Sequence, residues 1–134
     1  MRPTSRRVLC VDDDDPTSDL LELLFAHMGH PATTAPGPHE ALTLIAREAF
    51  DLYVLETRFP KGSGVALCRA LWRRTPSVPV VFYAGATKAE AQAAGRCAGA
   101  SAYVPKPHIE KLIKVVRRLL AGRAAAAPPP KEAS

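Results

Sequence analysis

The sequence predicts an α/β domain built on a doubly wound, five-stranded parallel sheet with five helices. Two observations carry that expectation. Short apolar runs, Val8 to Val11, Leu52 to Leu55 and Val78 to Tyr83, lack the in-out alternation of a half-solvated strand and so belong in a sheet covered on both faces. Between such runs lie segments with apolar residues at helical spacing, joined by short connections and without internal repeats, which implies right-handed crossovers.

Each element follows from local signals. Arg7 to Val11 is a buried strand that stops at Asp12. Asp15 followed by Pro16 is a helix cap with proline at the first helical position, and Leu20, Leu21, Leu24, Phe25 and Met28 then recur at helical spacing until Gly29. Ala32 to Ala35 is a second strand. Pro36-Gly37-Pro38 breaks the chain before a helix through Ala41, Leu42, Leu44, Ile45 and Ala49. Leu52 to Leu55 is the third strand, ending at Glu56. Pro60, Gly62 and Gly64 mark a loop, and Val65, Leu67, Cys68, Leu71 and Trp72 trace the third helix. Val78 to Tyr83 is the fourth strand. The segment from Thr87 to Ala98 is a fourth helix with little apolar surface, expected to be the loosest. Ala102 to Val104 is the fifth strand, and Ile109, Leu112, Ile113, Val116, Leu119 and Leu120 define the last helix.

A chain of 134 residues suits one compact domain. Its expected limits are 7–123, flanked by an extension at 1–6 and an Ala/Pro-rich flexible tail at 124–134. Neither a secretory signal nor an apolar run of about 20 residues is present, which points to the cytoplasm and away from membranes. Cys10, Cys68 and Cys97 lack CxxC spacing and read as reduced, buried thiols. Lys plus Arg number 12 against 11 acids up to residue 107 and 6 against 2 beyond it, so the basic excess belongs to the last helix and tail. That distribution suits an acidic partner surface.

In doubly wound sheets, ligands bind beyond the carboxyl ends of the strands, where the strand order reverses. The residues at those ends are Asp12, Asp13 and Asp14, then Glu56, Ala84 and Lys106. Several carboxylates would face one ammonium, although acids opening a helix also serve as caps.

Four segments, in order, resemble the receiver domains of bacterial response regulators over about Arg7 to Gly122. They are the acidic cluster Val11-Asp12-Asp13-Asp14, the stretch Asp51 to Gly64, the run Val78 to Tyr83, and Gly99 to Pro107 with its Tyr103 and Lys106. The resemblance implies the flavodoxin-like strand order 2-1-3-4-5. It also implies that two acids hold a magnesium ion, an aspartate accepts a phosphoryl group, and a lysine steadies it. Here Asp12 and Asp13 would be the metal-holding acids and Lys106 the ammonium, chemistry that rests on positioning and charge neutralisation.

The sequence departs from that pattern twice. Glu56 stands in the acceptor's place, and its extra methylene displaces the carboxylate by roughly 1.5 Å. Misplacement of about 1 Å at a reacting centre can cost on the order of 100-fold in rate, so phosphate acceptance is not expected; the longer side chain could instead turn its charge toward Lys106. Ala84 stands where the family carries a hydroxyl. Neither Thr87 nor Ser101 obviously replaces it. Tyr103, the family's aromatic switch, has both an inward and an outward position open to it, and the space beside Ala84 makes the inward one the expectation.

The leading expectation is therefore a non-enzymatic interaction module, an atypical receiver (pseudo-receiver) that offers the face of the fourth helix, fifth strand and fifth helix to a signalling partner. No cofactor would be required, magnesium at Asp12 and Asp13 being the one candidate. A working magnesium-dependent phosphoacceptor is the first alternative. Nucleic-acid binding through Lys111, Lys114, Arg117, Arg118 and Arg123 is a weaker second, since no aromatic residues interleave them. A weak homodimer is compatible with either.

Overall fold

The computed structural model describes residues 6–122, apart from 86 and 98. The expected extension and tail lie outside the described residues, except for Arg6. The order of elements is β1 (Val8–Val11), α1 (Asp15–His27), β2 (Ala32–Ala35), α2 (Pro38–Ile45), β3 (Leu52–Leu55), β4 (Arg58–Phe59), β5 (Gly62–Ser63), α3 (Gly64–Arg74), β6 (Val80–Ala84), α4 (Lys88–Gly95), β7 (Ala100–Pro105) and α5 (Ile109–Ala121). Five strands form one parallel sheet in the order β2-β1-β3-β6-β7. With the hairpin β4-β5 set aside, this is the expected order 2-1-3-4-5.

The unbroken apolar runs have the predicted cause. Alternate residues of one strand enter different cores: Leu9 and Val11 join Leu55, Leu67, Leu71 and Phe82 under α2, α3 and α4. Val8 and Cys10 join Phe25, Val54, Val81 and Leu112 under α1 and α5. Both faces are covered, so every residue of β1 and β3 is buried. On α4 only Ala94 is buried among the described residues, in line with the small side chains of that helix.

Several boundaries differ from the sequence reading, each for a local reason. Asp14, not Asp15, caps α1: its backbone is extended and its carboxylate accepts from the Thr17 N–H, while Asp15 is already helical. The second helix stops at Ile45 rather than Ala49, because Leu44 O takes both the Arg47 and Glu48 N–H groups and closes the turn. The central strand β6 begins at Val80, since Pro79 has no N–H to give to the ladder. The expected loop before α3 contains a two-stranded hairpin, with Gly62 at φ 128° and Phe59 turned into the core. Helix α4 covers Lys88–Gly95 with Thr87 as its cap, and β7 starts at Ala100 rather than Ala102. On α5, Val115 is buried and Ile113 only half-buried.

One glycine positions the site. A Cβ on Gly64 would lie 1.9 Å from the Glu56 carbonyl oxygen, and the Gly64 N–H donates to Thr57 O at 2.9 Å. The start of α3 is thus pressed against the backbone that carries Glu56. Gly64→Ala should destabilise the protein by about 2 kcal/mol through forced displacement of that backbone. Urea denaturation checks this, and an unshifted midpoint would contradict the packing described.

Candidate functional site

Three side chains meet at the carboxyl end of the sheet because each hangs from a residue just past a strand. Backbone bonds extend the ladder there: Asp12 N–H donates to Ala35 O, Glu56 N–H to Val11 O, and Lys106 N–H to Ala84 O, all at 3.0 Å. The place is the switch point, where β1 has β2 on one side and β3 on the other.

Lys106 Nζ donates to Asp12 Oδ2 at 2.9 Å and to Glu56 Oε1 at 2.8 Å. The remaining carboxylate oxygens also hold donors. Asp12 Oδ1 accepts from the Asp14 N–H at 2.9 Å. Glu56 Oε2 accepts from the Thr57 N–H at 2.7 Å and from its hydroxyl at 3.1 Å. The Asp12 side chain is only 3% exposed, so this ion pair lies where charge pairing is far stronger than in water.

Burial holds the Asp12 carboxyl above its ordinary value; the hydrogen bonds from Lys106 and Asp14 pull it down but do not prevail. For Lys106, burial pulls the ammonium down, yet the hydrogen bonds and charges of Glu56 and Asp12 together outweigh it. Its value stands above the usual 10.5. The Tyr83 ring centroid lies 5.9 Å from Nζ, and burial pushes that phenol up as well.

The structure brings Asp12, Glu56 and Lys106 together. Asp13 is exposed and lines the same cleft, of about 400 Å³, with no ion pair to Lys106. Ala84 is fully buried and acts through its backbone: its carbonyl accepts from the Lys106 N–H and, at 3.1 Å, from the Tyr103 hydroxyl. Tyr103 is half-buried and packs against the core beneath α2, α3 and α4.

Two contributors were missed in the sequence. Thr57 supplies two of the donors to Glu56, and its only signal was its place beside a strand-end acid. Glu90 both completes the capping box with Thr87 and pairs with Arg58, tying the loop after β3 to α4. Thr87-x-x-Glu90 was legible as a capping box; the Arg58 contact was not.

A parallel doubly wound sheet with two carboxylates and an ammonium converging at its switch point is the arrangement of a receiver-type signalling domain. The chain belongs to the response regulator receiver domain family, whose model matches residues 8–117. Its members act in two-component signalling. Response regulator MprA of Mycobacterium leprae (strain TN) is 32% identical over 115 residues, 85% of this chain and 50% of that protein. The chain spans about half the length of the curated relatives it matches. Among solved structures, a CheY-like receiver domain protein from Methanospirillum hungatei JF-1 has a TM-score of 0.82 at 25% identity, covering 87% of this chain and 94% of its own. The response regulator TrrA from Thermotoga maritima, solved in complex with Mg(2+)-BeF, shares the fold with a TM-score of 0.77 at 23% identity, over 85% of this chain and 98% of its own.

The family implies a magnesium ion. Among the described residues no group of three or more His, Cys, Asp or Glu side chains is arranged to hold a metal ion. One oxygen of Asp12 and one of Glu56 accept from Lys106, so a dication entering beside Asp12 would share that carboxylate with the ammonium. Asp12 and Asp13 are the acids that would hold such an ion, and Asp13 lines the cleft without an ion pair to Lys106.

Removing the ammonium should expose how much the site depends on it. Lys106→Met is expected to cost about 3 kcal/mol at neutral pH, because it strands a buried carboxylate. Asp12 would then rise further, so the native variant would keep a proton that the unfolded chain has released. Its deficit should therefore grow as pH rises from the acid range toward neutrality. Lys106 contributes stability in the wild type that is complete below 10.5 and lost as pH rises through its higher native value, a decline the variant should lack. Denaturant melts across pH on both proteins check both signs; parallel curves would refute the pairing.

Proposed function

We propose that this chain is an atypical receiver that signals as a protein-interaction module without phosphorylation at the usual position, and without a required cofactor. The observation that carries the reading is the Glu56–Lys106 ion pair at 2.8 Å. Glu56 offers Lys106 a standing negative charge, and its second oxygen accepts from the Thr57 N–H and hydroxyl. A carboxylate whose oxygens both hold donors is a poor nucleophile, and the extra methylene adds to its displacement. Ala84 supports the same reading, since no hydroxyl at that position could contact a phosphoryl group.

The partner face in this reading comprises α4, β7 and α5. Tyr103 on β7 bonds the Ala84 carbonyl, and Glu90 on α4 pairs with Arg58, so both elements are linked to the loops of the acidic site. The partner is a signalling protein; a membrane is no part of this reading. The exposed Lys111, Lys114, Arg117 and Arg118 of α5 favour an acidic partner surface over nucleic acid, for no aromatic side chain interleaves them.

Incubation with acetyl phosphate and magnesium, followed by intact-mass and peptide mass spectrometry, is the test. No phosphoryl adduct should form on the wild type. A rapid adduct mapped to Glu56 and lost in Glu56→Ala would overturn the proposal and make the chain a working phosphoacceptor.

A further inference from the structure

We propose that the groove between α3 and α4 is a binding site for a phosphorylated ligand with a planar ring, a nucleotide by chemical class. It holds about 410 Å³, within the range of small-ligand sites. Arg69 and Arg73 line it from α3, and Arg96 from the end of α4. Between them stands Trp72, 43% exposed and the only tryptophan of the chain. Val65, Ala93 and the buried Cys97 complete an apolar lining.

The electrostatics ask for an anion. No carboxylate lines the groove, and among the described residues none of the three guanidinium groups has an ion-pair partner. Arg69 and Arg73 stand four residues apart on one helix, so they repel each other with nothing opposite to offset it. The helix dipole accounts for Arg73 in the last turn of α3 and for Arg96 at the end of α4, but not for Arg69. All three cations here are arginines, whose fork-shaped donors suit phosphate oxygens.

Trp72 adds the preference for a ring. Gly99, at φ 92°, lies so close that a Cβ there would come within 2.6 Å of the indole Cδ1. The indole is thus seated on the chain before β7 while nearly half its surface stays in solvent. A fixed, partly open indole beside arginines is a stacking platform for a base. The basic face of α5 lacks this partner: the depression lined by Lys111 and Lys114 has no Trp, Tyr or Phe and includes the carboxylate of Glu110.

The arginines of the groove are also set away from the acidic site. Arg73 and Arg96 precede β6 and β7, at the amino end of the sheet, whereas Asp12, Glu56 and Lys106 follow strands at its carboxyl end. Substitutions here therefore leave the ion triad in place. The proposal is independent of whether Glu56 accepts phosphate.

Trp72 reports on its own site. Magnesium-free ATP, AMP, inorganic triphosphate and hexaglutamate would each be titrated into the full chain at low salt, read by tryptophan fluorescence and by calorimetry. ATP should quench Trp72 and saturate, AMP should bind more weakly, and triphosphate should bind at least about tenfold more weakly than ATP, the lost stacking contact being the cause. Arg69→Gln and Arg96→Gln should each weaken ATP by about tenfold, the size of a charge-assisted hydrogen bond, with thermal stability unchanged. Trp72→Phe should retain part of the calorimetric affinity. No quenching at millimolar ATP, equal affinity for ATP and triphosphate, or indifference to both arginine variants would each overturn the proposal. Hexaglutamate binding more tightly than ATP would overturn it in favour of an acidic protein segment.

Discussion

The acidic end of this domain is organised by one ammonium held between two carboxylates. Asp12 and Glu56 are far apart in sequence from Lys106, and only the strand order β2-β1-β3-β6-β7 brings the three together. With Asp12 nearly excluded from water, the site needs that cation. The buried Asp12 and the partly buried Glu56 without it would repel each other and face the cost of desolvation alone. The loops after β1, β3 and β7 are therefore not independent, because each carries one member of a charge set that is stable only as a whole.

The length of the Glu56 side chain then gains a structural meaning. Its carboxylate spans from Lys106 to the Thr57 backbone and hydroxyl, while its backbone carbonyl has the start of α3 hard against it. Gly64 makes that approach possible, and the hairpin β4-β5 brings the chain round to it. Local backbone geometry and the charge set support one another.

Much of this was legible in the sequence. Val8 to Val11 and Leu52 to Leu55 announce strands buried on both faces, and their terminal acids fall at the switch point from the sequence pattern alone. The lysine after the last strand was legible for the same reason. What escaped was short-range and cooperative. Asp14 and Asp15 carry the same chemistry, so only the backbone angles decide which one caps α1. The hairpin β4-β5 has two residues per strand, too few to show any periodicity. The Arg58–Glu90 pair joins segments whose distance is set by the tertiary fold, and the groove arginines emerge as a group only when α3 and α4 lie side by side.

The Ala84 carbonyl connects the acidic site to the face beyond it. It accepts from the Lys106 N–H and from the Tyr103 hydroxyl, so the same oxygen anchors the backbone of the lysine and the ring of the tyrosine. A shift of Lys106 away from Glu56 that moved its backbone would alter one of two bonds sharing an acceptor, and the other bond holds the tyrosine on β7. Because Ala84 is buried and has no hydroxyl, its backbone is the element through which such a shift could pass. Coupling of this kind acts through the position of a peptide group rather than through a side-chain contact. It therefore works with whatever charge sits opposite Lys106, whether a transferred group or the carboxylate that the chain itself supplies.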